Sequence, residues 1–219
     1  MTQGNTSSSD RIREKKKLFL AREQKVVNAA LELLIGENID RVTVSKIASK
    51  AGIGKGTVYK HFLTKNEILV RIMLDYERSI ARRLEQALEQ AENGDPGAVS
   101  KAYFDSRLER PELDRLVQKL EDRLVDADDI RPQLDEFSRI RRSHEDALGS
   151  MITKLISEGI LEDVPPHYHY LSCWALAQGA VELCFNKSWG HLGDTSALMG
   201  FISSICLLYT SDAADDSDC

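Results

Sequence analysis

Between Thr43 and Phe62 the chain reads "TVSKIASKAGIGKGTVYKHF", and no other stretch narrows the possible folds as far. Two short helical patterns flank Gly52. Ala48 is small enough for two helices to approach closely, Gly52 can take the left-handed backbone of a tight turn, and Val58 falls six residues on, where it can return the second helix to a core. This spacing predicts a helix-turn-helix, a unit whose second helix lies in a groove of duplex DNA. The glycines around Lys55 also raise a nucleotide-binding loop. When a phosphate-cradling P-loop is aligned on Gly54 and Lys55, Ser49 stands where its first glycine belongs and Gly56 where it needs Ser or Thr. A G-x-G-x-x-G loop begun at Gly52 would need its third glycine at Thr57. Both nucleotide readings fail.

Charge supports a duplex partner for this region. The chain of 219 residues has a formal net charge of -6, but 13 of its 29 basic and only 6 of its 35 acidic residues lie in residues 1–65. A basic head therefore precedes an acidic body. That asymmetry is the electrostatic footprint of a nucleic-acid-binding module joined to a domain with a different task.

The rest of the pattern is helical throughout. Val26, Ala29, Ala30, Leu33 and Leu34 recur at helix spacing ahead of Gly36, and Thr43 is placed to cap the helix "VSKIASKA". "TKNE" reads as a capping box, Thr64 with Glu67, that opens a long helix to about Asn93. Further helices are predicted over "AVSKAYFDSRLER", from Pro111, from about Pro132 to Gly159, from Pro165 and Pro166 to Ser188, and from Thr195 onward. No alternating strand and no repeat is found, so the fold class is all-α. The expected organisation is a disordered basic arm over residues 1–20, a helix-turn-helix head over 21–66, a second helical domain over 67–205, for which ligand binding and dimerisation are what the family resemblance given next implies, and a non-native tail over 206–219. The tail, "CLLYTSDAADD" from Cys206, breaks the helical pattern and resembles the in-frame reading of a sequencing-library adapter.

The segment Thr43 to Leu69, "TVSKIASKAGIGKGTVYKHFLTKNEIL", resembles the TetR/AcrR family of bacterial transcriptional regulators. The resemblance covers the N-terminal quarter to third of the chain; beyond it only helix number and length agree. It departs at Gly54, where the family often has a capping Ser. It implies a three-helix head joined by a long helix to an α-helical ligand domain, working as a homodimer on a palindromic double-stranded DNA operator and released by a small apolar or amphipathic effector. By this resemblance Lys55, Gly56 and Thr57 reach base edges, and Tyr59, Lys60 and His61 touch phosphates or the groove edge. Thr43 and Lys65 lie at helix N-termini suited to phosphate. Val58 and Phe62 are assigned to the core. "RIREKKK" is either a minor-groove arm or a solvated helix extension. Tyr103, Phe104, Arg107, Leu120, Phe137, His144, Trp174, Gln178 and Val181 are the candidate pocket residues, with His144 and Gln178 as polar groups on otherwise apolar faces. The last two helices are expected to form the dimer interface.

No enzyme is expected, since the sequence has no nucleophile elbow, HExxH or CxxC spacing. A repressor is the first reading, with an activator or a dimerising adaptor of the same fold as alternatives. No cofactor and no metal is expected: His167 and His169, two residues apart, point to different helix faces. Cys173 and Cys184, three turns apart on one helix, cannot pair within it. With mean hydropathy of -0.32 and no long apolar run, the chain is read as cytoplasmic and without a membrane partner.

Overall fold

The computed structural model describes residues 8–95, 97–188, 197–198 and 200–202. Among the described residues all regular structure is helical. Eight helices have both ends among the described residues: α1 Ser8–Gly36, α2 Val44–Lys50, α3 Lys55–Val58, α4 Lys65–Glu92, α5 Ala98–Leu108, α6 Pro111–Leu124, α7 Arg131–Ser157 and α8 Pro166–Leu183. Single 3-10 turns stand at Ile39–Arg41 and Asp128–Ile130. The chain divides into two compact units. The head comprises the residues up to Ile72 together with Leu124–Arg131, and the body Met73–Arg123 and the residues from Pro132 onward.

In the head, α1 packs on α2 and α2 on α3. Val26, Ala30, Val42, Ile47, Val58 and Ile68 are fully buried there, and Phe62 nearly so. Each of these side chains other than Ala30 stabilises the unit by roughly 1.5–3 kcal/mol when taken out of water. The α2–α3 turn is built by Gly52. Its φ is +63°, its N–H donates to the Ser49 carbonyl at 3.1 Å, and the Ile53 N–H reaches the Ala48 carbonyl at 3.0 Å. These two bonds close a Schellman cap, which needs a left-handed residue at its centre. A Cβ on Gly52 would meet nothing nearer than Lys25 Nζ at 3.9 Å, so the constraint on this residue is backbone conformation and not space.

Two cap predictions can be followed atom by atom. Thr43 Oγ1 accepts from the Lys46 N–H at 3.3 Å, and Thr64 Oγ1 accepts from the Glu67 N–H at 3.2 Å. The Glu67 carboxylate reaches back one residue further than in a simple capping box and accepts from the Leu63 N–H at 2.5 Å. Of the expected disordered arm, residues 1–7 lie outside the described residues, and residues 8–20 correct the expectation: they are the first turns of α1, exposed from Ser9 onward. No Gly or Pro interrupts Ser9 to Ile35, the Lys, Arg, Glu, Leu and Ala residues there favour helix, and the Phe19 ring lies on that of His61, centroids 4.1 Å apart.

In the body α5 packs on α8. One apolar cluster joins Ile80, Leu84, Val99 and Leu148, and a second joins Phe104, Ala177, Ala180 and Ile202. The helix expected from Thr195 is described only at 197–198 and 200–202, and the tail over 206–219 lies outside the described residues.

Candidate functional site

Two places concentrate chemistry, one in each unit. In the head it is the outer surface of α3 and the turns beside it. Lys55, Gly56, Tyr59 and Lys60 are exposed, and Thr57 is half-buried. Lys55 Nζ lies 5.8 Å from the centre of the Tyr59 ring, close enough for a cation–π contact that holds both side chains on one surface. A Cβ on Gly56 would find nothing within 4 Å, so the backbone here is open to close approach. Lys46 and Lys50 on α2 pair with Glu37 and Glu32, whereas Lys55 and Lys60 make no ion pair among the described residues. Thr43 is exposed at the start of α2.

His61 corrects the sequence expectation, and Lys65 has a partner inside the head. The His61 side chain is 2% exposed, stacked on Phe19 with Nδ1 3.7 Å from Glu23 Oε1, and cannot touch a groove from there. Its burial follows from the turn after α3, which sends it inward toward α1. Lys65 donates its ammonium to the Ile39 carbonyl, and so ties the start of α4 to the 3-10 turn Ile39–Arg41. Thr64 and Asn66 at the same helix start donate to Asp129 at 2.8 and 2.9 Å, and these bonds hold the Asp129 carboxyl below its ordinary range.

The body contains two adjoining cavities. One, of about 580 Å³, has a wall with many polar and charged side chains that includes Tyr103, Arg107, His144, Trp174 and Gln178. The other, of about 470 Å³, is walled mainly by Val99, Leu148, Met151, Ile152, Leu155 and Leu176. Tyr103 and Tyr170 belong to both walls, with ring centroids 6.5 Å apart. Four of the nine expected pocket residues fall elsewhere: Phe104, Leu120, Phe137 and Val181 are buried in the packed core and line neither cavity. Their apolar spacing reported helix packing rather than a pocket wall.

A hydrogen-bonded network organises the polar cavity. Arg107 Nε and Nη2 form a fork on the Asp114 carboxylate, both bonds 2.9 Å, and Nη2 also donates to Gln178 Oε1 at 2.9 Å. Tyr76 donates to Asp114, Gln118 Nε2 donates to it at 2.6 Å, and Gln178 Nε2 donates to Gln118 Oε1 at 2.7 Å. Burial and the Asp114 carboxylate together push the Tyr76 hydroxyl far above its usual range, so it stays a donor. Alongside, Arg141 bridges Glu121 at 2.6 Å and the buried Glu77 at 3.2 Å. Burial raises the Glu77 carboxyl even beside this guanidinium.

His144 stands at the edge of that second group. It is buried, its Nε2 is 3.5 Å from Glu77 Oε1, and burial lowers its pKa so that the ring is held neutral. Its Nδ1 is buried without a hydrogen-bond partner. Gln178, by contrast, is satisfied within the protein. Sequence reasoning missed Asp114, Tyr76, Gln118, Glu77 and Arg141. The available signal was Asp114, a carboxylate flanked by Leu113, Leu116 and Val117 and seven residues beyond Arg107. No group of three or more His, Cys, Asp and Glu among the described residues could hold a metal ion. Cys173 and Cys184 are not joined by a disulfide. No helix among the described residues is long and apolar enough to cross a membrane.

Comparison with known proteins bears on the two units differently. Residues 26–72 match the family described as "Bacterial regulatory proteins, tetR family". The HTH-type transcriptional regulator SrpR of Pseudomonas putida is 38% identical over 50 residues, 23% of this chain and 24% of that protein. The fatty acid metabolism regulator protein of Bacillus subtilis is 29% identical over 65 residues, 30% of this chain and 34% of that one. The chain thus spans about a quarter to a third of the length of these curated relatives. Solved structures extend the likeness of fold to the body. PfmR from Thermus thermophilus, a TetR family transcriptional regulator, superposes with a TM-score of 0.66 at 16% identity over 94% of this chain and 97% of that one. FadR from Bacillus subtilis, solved with stearoyl-CoA, gives 0.60 at 21% identity over 86% and 97%.

Proposed function

Through its head the chain belongs to the tetR family of bacterial regulatory proteins, and we propose that it is a ligand-responsive transcriptional repressor that binds a palindromic operator as a homodimer. The observation that carries this reading is the surface of α3. Lys55, Gly56, Tyr59 and Lys60 stand outward on a helix-turn-helix whose turn and caps are closed by the residues the sequence supplies for them. Lys55 and Thr57 read base edges, Gly56 lets the backbone come close to the DNA, and Tyr59, Lys60 and Thr43 position phosphates. Lys65 acts indirectly here, by fixing the start of α4 against the turn Ile39–Arg41.

The dimer is supported by α8, on which Leu171 and Trp174, both in the wall of the polar cavity, are also exposed, with Phe185 exposed just beyond its end. A self-complementary interface would bury these side chains and set two heads roughly 34–36 Å apart, the separation of successive major grooves on one DNA face. The two body cavities support an effector site, and FadR, solved with stearoyl-CoA, supports the capacity of this fold for an amphipathic ligand. Effector binding would change the spacing of the two heads. To invert a 1:99 equilibrium the effector must favour the non-binding state by about 10⁴-fold.

The test is fluorescence anisotropy of the protein titrated onto DNA from upstream of its own gene and onto a scrambled duplex, at two salt concentrations. Tight, upstream-selective and salt-sensitive binding is expected. Equal weak binding to both duplexes contradicts an operator at that position.

A further inference from the structure

The polar cavity has a charge and a hydrogen-bonding polarity of its own. Five carboxylates, those of Glu77, Asp114, Glu121, Asp122 and Glu145, stand in its wall with two guanidiniums. Both guanidiniums are already occupied: Arg107 forks onto Asp114, and Arg141 bridges Glu121 and Glu77. Asp122 and Glu145 have no guanidinium of their own among the described residues, and Glu145 only accepts from the Tyr170 hydroxyl at 3.3 Å. An anionic group entering here would meet surplus carboxylate and no uncommitted cation. A cationic group would meet the reverse.

His144 gives an independent indication. With Nε2 turned toward the Glu77 carboxylate at 3.5 Å, the neutral tautomer that Glu77 favours carries its proton on Nε2, and that assignment leaves the lone pair on Nδ1. That Nδ1 is a buried acceptor with no donor, on a side chain only 8% exposed. A buried acceptor left unmatched costs about 1–3 kcal/mol, so a ligand N–H supplied to it has something to gain. Aromatic faces complete the surroundings: Tyr76, Tyr103, Tyr170 and Trp174 share this wall. Such rings favour a cation. Past Tyr103 and Tyr170 the second cavity offers an apolar lining of Leu148, Met151, Ile152, Leu155, Leu161 and Leu176.

We propose that the effector is an amphipathic amine whose protonated nitrogen binds in the polar cavity and donates to His144 Nδ1, while its apolar chain fills the adjoining cavity past Tyr103 and Tyr170. The inference rests on the effector-site reading above and specifies the class of ligand. Anionic amphiphiles, fatty acids among them, are disfavoured by the same wall.

The test is calorimetric titration of the full chain with dodecylammonium, dodecyltrimethylammonium and dodecanoate at pH 7.5, each below its micelle concentration. Dodecylammonium is expected to bind saturably, one per chain and at least tenfold more tightly than dodecanoate. It is also expected to bind more tightly than dodecyltrimethylammonium, which has no N–H, and His144→Phe should abolish that second difference. Glu145→Gln, a conservative change on a half-exposed side chain, should narrow the first. Dodecanoate binding as tightly as dodecylammonium, or more so, overturns the proposal and leaves an effector site in place. Saturable binding of none of the three, or uptake without a stoichiometry, overturns it together with the effector-site reading of these cavities.

Discussion

In the head, the polar side chains of α3 stand outward on a small apolar core, whereas in the body charged side chains are taken inside and matched to one another. Lys55, Tyr59 and Lys60 remain in water and engage no carboxylate among the described residues. Arg107, Asp114 and Glu77 are almost fully desolvated, and each is held by a partner. The difference separates two uses of charge. An outward cation can be exchanged between water and a phosphate or base edge at little cost to the fold. An inward ion pair is part of the fold, and what it leaves unmatched defines what a ligand must bring.

The sharpest way to break this contrast is to remove one charge from each side. Arg107→Met leaves Asp114 buried without its cation and deprives Gln178 of its donor. A loss of about 3–5 kcal/mol is expected in denaturant unfolding, the usual penalty for a half-broken buried pair. A loss within about 0.5 kcal/mol, the range of an ordinary surface substitution, would show that the network is dispensable. Lys55→Ala should do the opposite: stability unchanged, and operator affinity lowered by about 1–3 kcal/mol, with relaxed preference at the contacted base pairs, measured by anisotropy on a panel of substituted duplexes.

Two glycines a few residues apart sharpen the comparison within the head. Gly52→Ala forces an L-residue to φ +63° and should cost about 1–2 kcal/mol in thermal or denaturant unfolding, although there is room for the Cβ. Gly56→Ala has open space around it and lies within α3, so the fold should be stabilised by about 0.5–1 kcal/mol while DNA affinity falls because the methyl group faces the duplex. A Gly56→Ala protein that is more stable and binds DNA equally well would remove Gly56 from the interface.

Legibility from sequence follows the same division. Gly52, Ala48, Val58, Thr43 and Thr64 act through bonds and contacts close by in the chain, and their roles in the fold could be placed from spacing alone. His61 could not. Its burial depends on Phe19 and Glu23 in α1, far earlier in the chain, which spacing within the motif does not reveal. The body was legible as helices and illegible as a site. Apolar stripes marked Phe104, Leu120, Phe137 and Val181 correctly as inward-facing but could not tell core from cavity wall. The polar wall depends on pairs such as Arg107 with Gln178 and Arg141 with Glu77, which are 71 and 64 residues apart and come together only through helix packing.

The central claim is that paired heads read DNA through α3, and hydroxyl-radical footprinting of the full chain on a selected duplex tests it most directly. Two protected patches of equal strength are expected, on one face of the duplex and one helical turn apart, about 10–10.5 base pairs between centres, and both should be lost with Lys55→Ala. A single patch, or protection that survives Lys55→Ala unchanged, would contradict it.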